Sequence, residues 1–105
     1  MAIQKITQEN FAGAVAAADH PILVEFWAPW CVYCRRLSAV VDKLAGEGKV
    51  AVGQVNIDEQ PSLAAQFSID TIPTFLLFRD GKPGPALIAP DSKAAIEAWL
   101  SEQGV

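Results

Sequence analysis

The run Ile22-Leu23-Val24-Glu25-Phe26-Trp27 constrains this chain more than any other stretch, because it is apolar on both alternating faces except at Glu25. Successive side chains of a strand point to opposite sides of its sheet, so such a run belongs to a strand buried on both sides. That is the habit of a central strand in a sheet covered by helices. A chain of 105 residues has the size of one domain, and a second independent core would leave each half marginal. With 51% hydrophobic and 19% charged residues it can bury a core, so residues 1–105 read as a single α/β domain.

The rest of the chain fits helices around such a sheet. Thr7 opens a predicted helix to about Ala18, its hydroxyl able to cap the first free amides, with Phe11, Ala14, Val15 and Ala18 at helical spacing. After Pro29-Trp30, the stretch from Cys31 to about Gly46 reads as a helix with Leu37, Val40, Val41 and Leu44 on one face, stopped by Gly46 and Gly48. Val50 to Ile57 is a second buried strand, Pro61 opens a short helix ending near Phe67, and Thr74 to Arg79 is a third strand. Asp80-Gly81 signals a hairpin, with Ala86 to Ala89 as its short partner. Asp91 or Ser92 caps a last helix whose stripe is Ala95, Ile96, Trp99 and Leu100. Trp27, Phe67, Phe75, Phe78 and Trp99 are read as packing.

Charge and hydropathy exclude several functions. Eight basic residues against twelve acidic ones give a net charge of -4, and apart from Arg35-Arg36 the basic residues are scattered. Phosphate binding needs a concentrated positive face, so nucleic acid is not an expected partner. The longest apolar runs fall far short of a membrane span. Met1 to Glu9 shows no basic region followed by an apolar core, so no signal peptide is read, and a cytoplasmic monomer is the expectation.

Chemistry concentrates at Trp30-Cys31-Val32-Tyr33-Cys34, where the buried strand ends and a helix begins. With Cys31 as the cap and Cys34 one turn further on, the two sulfurs lie within bonding reach while the first points toward solvent. The helix start offers unpaired amides and a partial positive charge, both of which favour a thiolate at Cys31. Cys31 is then the attacking sulfur, and Cys34 resolves the mixed disulfide that forms, with no cofactor required. Two blander readings weigh less. A zinc site needs about four ligands, and beyond the two thiols only His20 offers a soft donor, so no metal is expected. A purely structural disulfide across so short a loop would constrain the unfolded chain little.

Taken in order, Val24-Glu25-Phe26-Trp27-Ala28, Trp30-Cys31, Cys34, Asn56-Ile57-Asp58, Ile72-Pro73-Thr74 and the strand before Asp80-Gly81 resemble the thioredoxin family over nearly the whole chain. The resemblance implies the thioredoxin fold, a central mixed sheet flanked by helices. It also implies a cis proline at Pro73 facing the cysteine pair, which leaves the backbone of Ile72 free to pair with an extended substrate. Trp30 would pack on that substrate. Glu25 stands where the family usually carries a buried aspartate, so the resemblance assigns it the proton of Cys34, taken directly or through a water. A carboxyl in an apolar strand has a raised pKa, which suits proton transfer. The implied activity is reduction of disulfide-containing proteins, with recharging by an upstream reductase such as a flavoprotein thioredoxin reductase.

Several positions depart from the family pattern. Val32-Tyr33 replaces glycine-proline between the cysteines, and the Tyr33 amide, which proline lacks, lies where it can bond the Cys31 sulfur. The expected consequence is a better stabilised thiolate and a more oxidising pair than in a Tyr33→Pro variant. Ala39 replaces a kinking proline, predicting a straighter helix. Gln54 replaces a lysine near the buried carboxylate. Ala89-Pro90 replaces a glycine-containing turn lining the substrate groove, and Pro90 is expected to force Ala89 toward extended geometry and narrow the groove. Two other functions stay open at this point: a disulfide oxidant or isomerase, favoured if Tyr33 raises the potential, and a module that binds extended peptides without turnover.

Overall fold

A computed structural model describes residues 2–105; of the amino-terminal stretch read above for a leader, Met1 lies outside them. Ile22–Trp27 forms a strand, β2, following the two-residue β1 at Gln4–Lys5. Ala51–Asn56 is β3, Thr74–Arg79 is β4, Lys82–Pro83 is β5 and Leu87–Ile88 is β6. The sheet order is β1-β3-β2-β4-β5, and β6 also pairs with β4. Both β1 and β2 run parallel to β3, whereas β4 is antiparallel to β2, so the sheet is mixed. The helices are α1 at Val32–Arg36, α2 at Ser38–Glu47, α3 at Pro61–Gln66 and α4 at Lys93–Glu102.

Alternation along β2 and β4 divides the core into two layers. Leu23, Phe75 and Leu77 join Leu37, Val41 and Leu44 of the cysteine-helix region and Ile96, Trp99 and Leu100 of α4. Ile22, Val24, Phe26, Leu76 and Phe78 turn the other way, onto Ile6, Val15 and Leu63. Phe67 packs there at tilted and edge-to-face angles on Phe11, Phe26 and Phe78, with ring separations of 5.2 to 6.2 Å. A central strand sandwiched between helices is what the two-sided apolar run requires. Ser92 caps α4, its hydroxyl accepting from the Ala95 amide at 3.0 Å.

Four expectations are corrected. The first helix is a π-helical segment at Ala12–Ala16, in which the Ala17 amide reaches the Ala12 carbonyl. Thr7 still accepts from the Asn10 amide, but Ala18 lies beyond the segment. The cysteine helix is not a straight rod: it breaks at Leu37 between α1 and α2, although Ala39 is not a proline. The Ser38 hydroxyl donates to the Arg35 carbonyl at 2.8 Å, a back-bond that bends helices, and the Leu37 amide is shared between the Tyr33 and Cys34 carbonyls. The α2 helix then runs past Gly46 and ends at Gly48, which takes the left-handed cap. The hairpin partner of β4 starts at once, at Lys82–Pro83, and a second piece at Leu87–Ile88 pairs further back along the same strand.

The Asp80-Gly81 turn holds both residues at positive φ, 51° and 76°. A Cβ on Gly81 would stand 2.8 Å from the Ala16 carbonyl oxygen. A Gly81→Ala variant is therefore expected to lose about 2 kcal/mol, from left-handed backbone cost plus overlap with fixed main chain. Chemical denaturation reads this directly; a midpoint equal to wild type would contradict the contact.

Candidate active site

Cys31 and Cys34 form a disulfide at the carboxyl end of β2, with their Cα atoms 5.2 Å apart. Cys31 occupies the cap of α1 in extended geometry, and Cys34 is the third residue of its first turn. The strand delivers the chain to this point, and Pro29-Trp30 turns it into the helix. The Cys34 amide donates to Cys31 Sγ at 3.1 Å. This corrects the reading that assigned the bond to Tyr33: from the cap position the sulfur reaches the third helical amide, and a proline at 33 would leave that bond intact. The expected oxidising effect of the Tyr33 amide therefore loses its basis.

Exposure also differs from expectation. Cys31 is 7% exposed and Cys34 4%, so the first sulfur does not stand out in solvent. Neighbouring segments cover it. Ile72 and Ile57 pack on the cysteine cluster, and the Ile72 carbonyl oxygen lies 4.0 Å from Cys31 Sγ. What separates the two sulfurs is their place on the helix.

The Ile72-Pro73 peptide bond is cis, and the Thr74 hydroxyl bonds the Thr71 carbonyl within the same turn. Among the described residues the Ile72 amide has no hydrogen-bond partner. Trp30 is 63% exposed, and its indole Nε1 donates to both carboxylate oxygens of Asp58, at 3.0 and 3.2 Å. Asp58 went unassigned in the sequence, although Asn56-Ile57-Asp58 marked the place; Asn56 Oδ1 accepts from the Asp58 amide and sets that turn. Val32 and Ile88 are also exposed, so apolar surface borders the disulfide. Trp27, read as core, is half-buried against the cysteine cluster.

Ala89 and Pro90 complete the rim. Ala89 is not extended, as expected from the following proline; its φ is +46°. Its amide donates to the Pro73 carbonyl at 2.9 Å, and the Tyr33 hydroxyl donates to the Pro90 carbonyl at 2.6 Å. These two bonds hold the loop in a conformation that the isolated dipeptide would avoid.

Glu25 is 1% exposed in the middle of β2, in register with Gln54 on one side and Phe75 on the other. Gln54 Nε2 donates to Glu25 Oε1 at 2.8 Å, and Oε2 has no partner among the described residues. Burial pushes its pKa from 4.5 to about 7, against a smaller opposing effect of the Gln54 bond. Gln54 lines a cleft of about 350 Å³ together with Ile3, Lys5, Trp27, Asn56 and Glu59. Alternation puts Glu25 on the Leu23 side of the sheet, the side against which Tyr33 packs, and no hydrogen bond joins it to either cysteine among the described residues. His20 sits before β2, beside Asp19, Arg79 and Asp80, at the strand end opposite the thiols. Among the described residues no group of three or more potential ligand residues is placed to hold a metal ion.

Comparison with known proteins follows the same lines. A family profile described as Thioredoxin matches residues 2–102. The chain is 38% identical over 103 residues to "Thioredoxin 1" of Nostoc sp., covering 96% of each protein. It is 40% identical over 103 residues to a thioredoxin of Alicyclobacillus acidocaldarius, covering 96% of this chain and 97% of the relative. It is also 40% identical over 97 residues to the chloroplastic M-type thioredoxin of Zea mays, covering 90% of this chain and 58% of that protein.

Proposed function

Since this chain belongs to the thioredoxin family and is a thiol-disulfide oxidoreductase that reduces protein disulfides, we propose that Cys31 is its attacking sulfur and Cys34 its resolving one. The observation that carries this assignment is the Cys34 amide directed at Cys31 Sγ from the opening turn of α1. A thiolate at Cys31 would receive that bond and the positive end of the helix, and both lower its proton affinity.

The reaction then balances as two exchanges. Reduced Cys31 attacks one sulfur of a substrate disulfide; that bond breaks, and the departing sulfur takes up a proton. Cys34 gives its proton to Glu25 and attacks Cys31 Sγ; the Cys31–substrate bond breaks, the internal disulfide closes, and the second substrate sulfur leaves and takes up the proton that Glu25 gives back, directly or through water. Two electrons pass to the substrate, and the chain ends in the oxidised form with Cys31 and Cys34 joined. The pKa of about 7 at Glu25 suits this proton exchange, made directly or through a water. No cofactor besides the dithiol enters the scheme.

Docking falls to the surface beside the disulfide. The unpaired Ile72 amide offers a backbone edge, and Trp30, Val32 and Ile88 offer apolar contact. We assign recharging to an upstream flavoprotein thioredoxin reductase, and the working form to a monomer, since three of the four exposed large apolar side chains among the described residues border the site. No helix among the described residues is long and apolar enough to cross a membrane. The cytoplasm, where thiols are kept reduced, is the compartment that suits such a dithiol. The relatives described above are all named thioredoxins, which favours none of the oxidant, isomerase or binding-module readings. The test is insulin disulfide reduction, with dithiothreitol and then with a flavoprotein thioredoxin reductase as donor. Acceleration over donor alone is expected; its absence with both donors would leave the binding module.

A further inference from the structure

Tyr33 stands between the cysteines, yet its hydroxyl takes no part in the exchange just described. It reaches instead to the Pro90 carbonyl, a residue far along the chain and itself buried. Three segments meet around the disulfide: the start of α1, the turn at 71–74 and the loop at 88–91. The Ile72 carbonyl lies against Cys31 Sγ, the Pro73 carbonyl accepts from the Ala89 amide, and the Pro90 carbonyl accepts from Tyr33. Together these contacts close a ring around the place where a substrate sulfur must arrive. Of its two hydrogen bonds, only the Tyr33 bond is made by a side chain.

The loop that Tyr33 holds contains a residue in a costly backbone conformation. Ala89 keeps φ at +46°, in a region that glycine adopts freely and alanine does not. The Ala89 bond and the pairing of Ile88 with Thr74 tie the loop to the 71–74 turn; the Tyr33 bond fixes it relative to the helix that carries Cys31. The Tyr33 ring packs against both the large core layer and the cysteine cluster, so its hydroxyl is presented from a fixed base.

We propose that Tyr33 is a positioning residue for substrate docking: its hydroxyl holds the 88–91 loop at a set distance from Cys31, making the Ile72 edge and the Ile88 surface one preformed groove for an extended, disulfide-bearing polypeptide. This rests on the reading of Cys31 as the attacking sulfur of a disulfide reductase. A groove formed in advance spares the ordering cost of docking. A small disulfide engages the sulfurs alone and draws no benefit from the groove.

The experiment compares Tyr33→Phe with wild type, because phenylalanine keeps the ring and removes only the hydroxyl. Steady-state kinetics are taken with an extended peptide disulfide and with bis(2-hydroxyethyl) disulfide, and the thiol-disulfide equilibrium against glutathione is measured on both proteins. The ratio of kcat/KM for the peptide to that for the small disulfide is expected to fall roughly fivefold, as loss of one neutral hydrogen bond would give, with the change in the peptide KM. A ratio that does not move overturns the proposal. So does a ratio that moves through kcat together with the glutathione equilibrium, since the hydroxyl would then act on the sulfurs. Wild-type protein that turns over neither disulfide would instead remove the reductase assignment beneath it.

Discussion

Cys34→Ser is expected to stop the protein as a mixed disulfide on Cys31, with turnover down by about a thousandfold or more, whereas Cys31→Ser is equally inactive and forms no adduct. Both results follow from where the sulfurs sit. Cys31 caps α1 with the Cys34 amide bonded to it, so its thiolate is the better stabilised of the two. Serine at 34 leaves that amide in place and removes only the second nucleophile, so attack proceeds and resolution does not. Without Cys31, the remaining thiol sits three residues further into the helix, 4% exposed, and lacks the cap position that stabilises a thiolate. Mass spectrometry of each variant after exposure to a peptide disulfide reads the outcome. An adduct on Cys31→Ser and none on Cys34→Ser would exchange the two roles.

The parts of this protein that depend on neighbours in sequence were the legible ones. Burial of β2 on both faces followed from a run that is apolar at every position but one, and the Ser92 cap and the Asp80-Gly81 turn followed from local chemistry. Strand β1 left no such trace. Gln4 and Lys5 are exposed, and the strand is placed by the adjoining Ile6, whose Cγ1 lies 2.7 Å from where a Gly53 Cβ would stand. Only a glycine far along the chain makes room for it. The helix break was missed because the disrupting group was a serine hydroxyl, which hydropathy spacing ignores. Within the site, the Cys-x-x-Cys spacing at a strand-to-helix junction revealed the reacting pair, and the family resemblance added Glu25 and Pro73. Spacing did not say which amide the sulfur would choose, because an N-cap can reach either of two. Nor did it reveal Trp30 with Asp58, or Tyr33 with Pro90, pairs joined only by the folded backbone.

Glu25→Gln is expected to make the protein more stable at pH 8 by roughly 3 kcal/mol, and to slow resolution of the mixed disulfide tenfold or more. The stability effect follows from linkage. In the unfolded chain Glu25 ionises near its ordinary value of 4.5, whereas burial in the fold holds the pKa at about 7. Below pH 4.5 both states carry the proton and the full stability is present. Between 4.5 and 7 the unfolded chain releases the proton while the fold keeps it, so stability falls as pH rises, and above about 7 the loss is complete. At about 1.4 kcal/mol per pH unit, that interval yields the figure given. Glutamine does not titrate, so the gap between variant and wild type should open across this window and close again in acid. Denaturation curves at pH 4 and pH 8 measure it, and a gap that does not change with pH would place the Glu25 pKa elsewhere. The kinetic half separates a proton carrier from a merely buried acid, because only the carrier makes decay of the mixed disulfide depend on this side chain near neutral pH. A variant that is stabler at pH 8 yet resolves at the wild-type rate across neutral pH would strike Glu25 from the reaction while leaving its burial intact. A buried carboxyl is a cost to stability in a strand otherwise wholly apolar from Ile22 to Phe26, and the two halves of this experiment separate that cost from the proton exchange proposed for it.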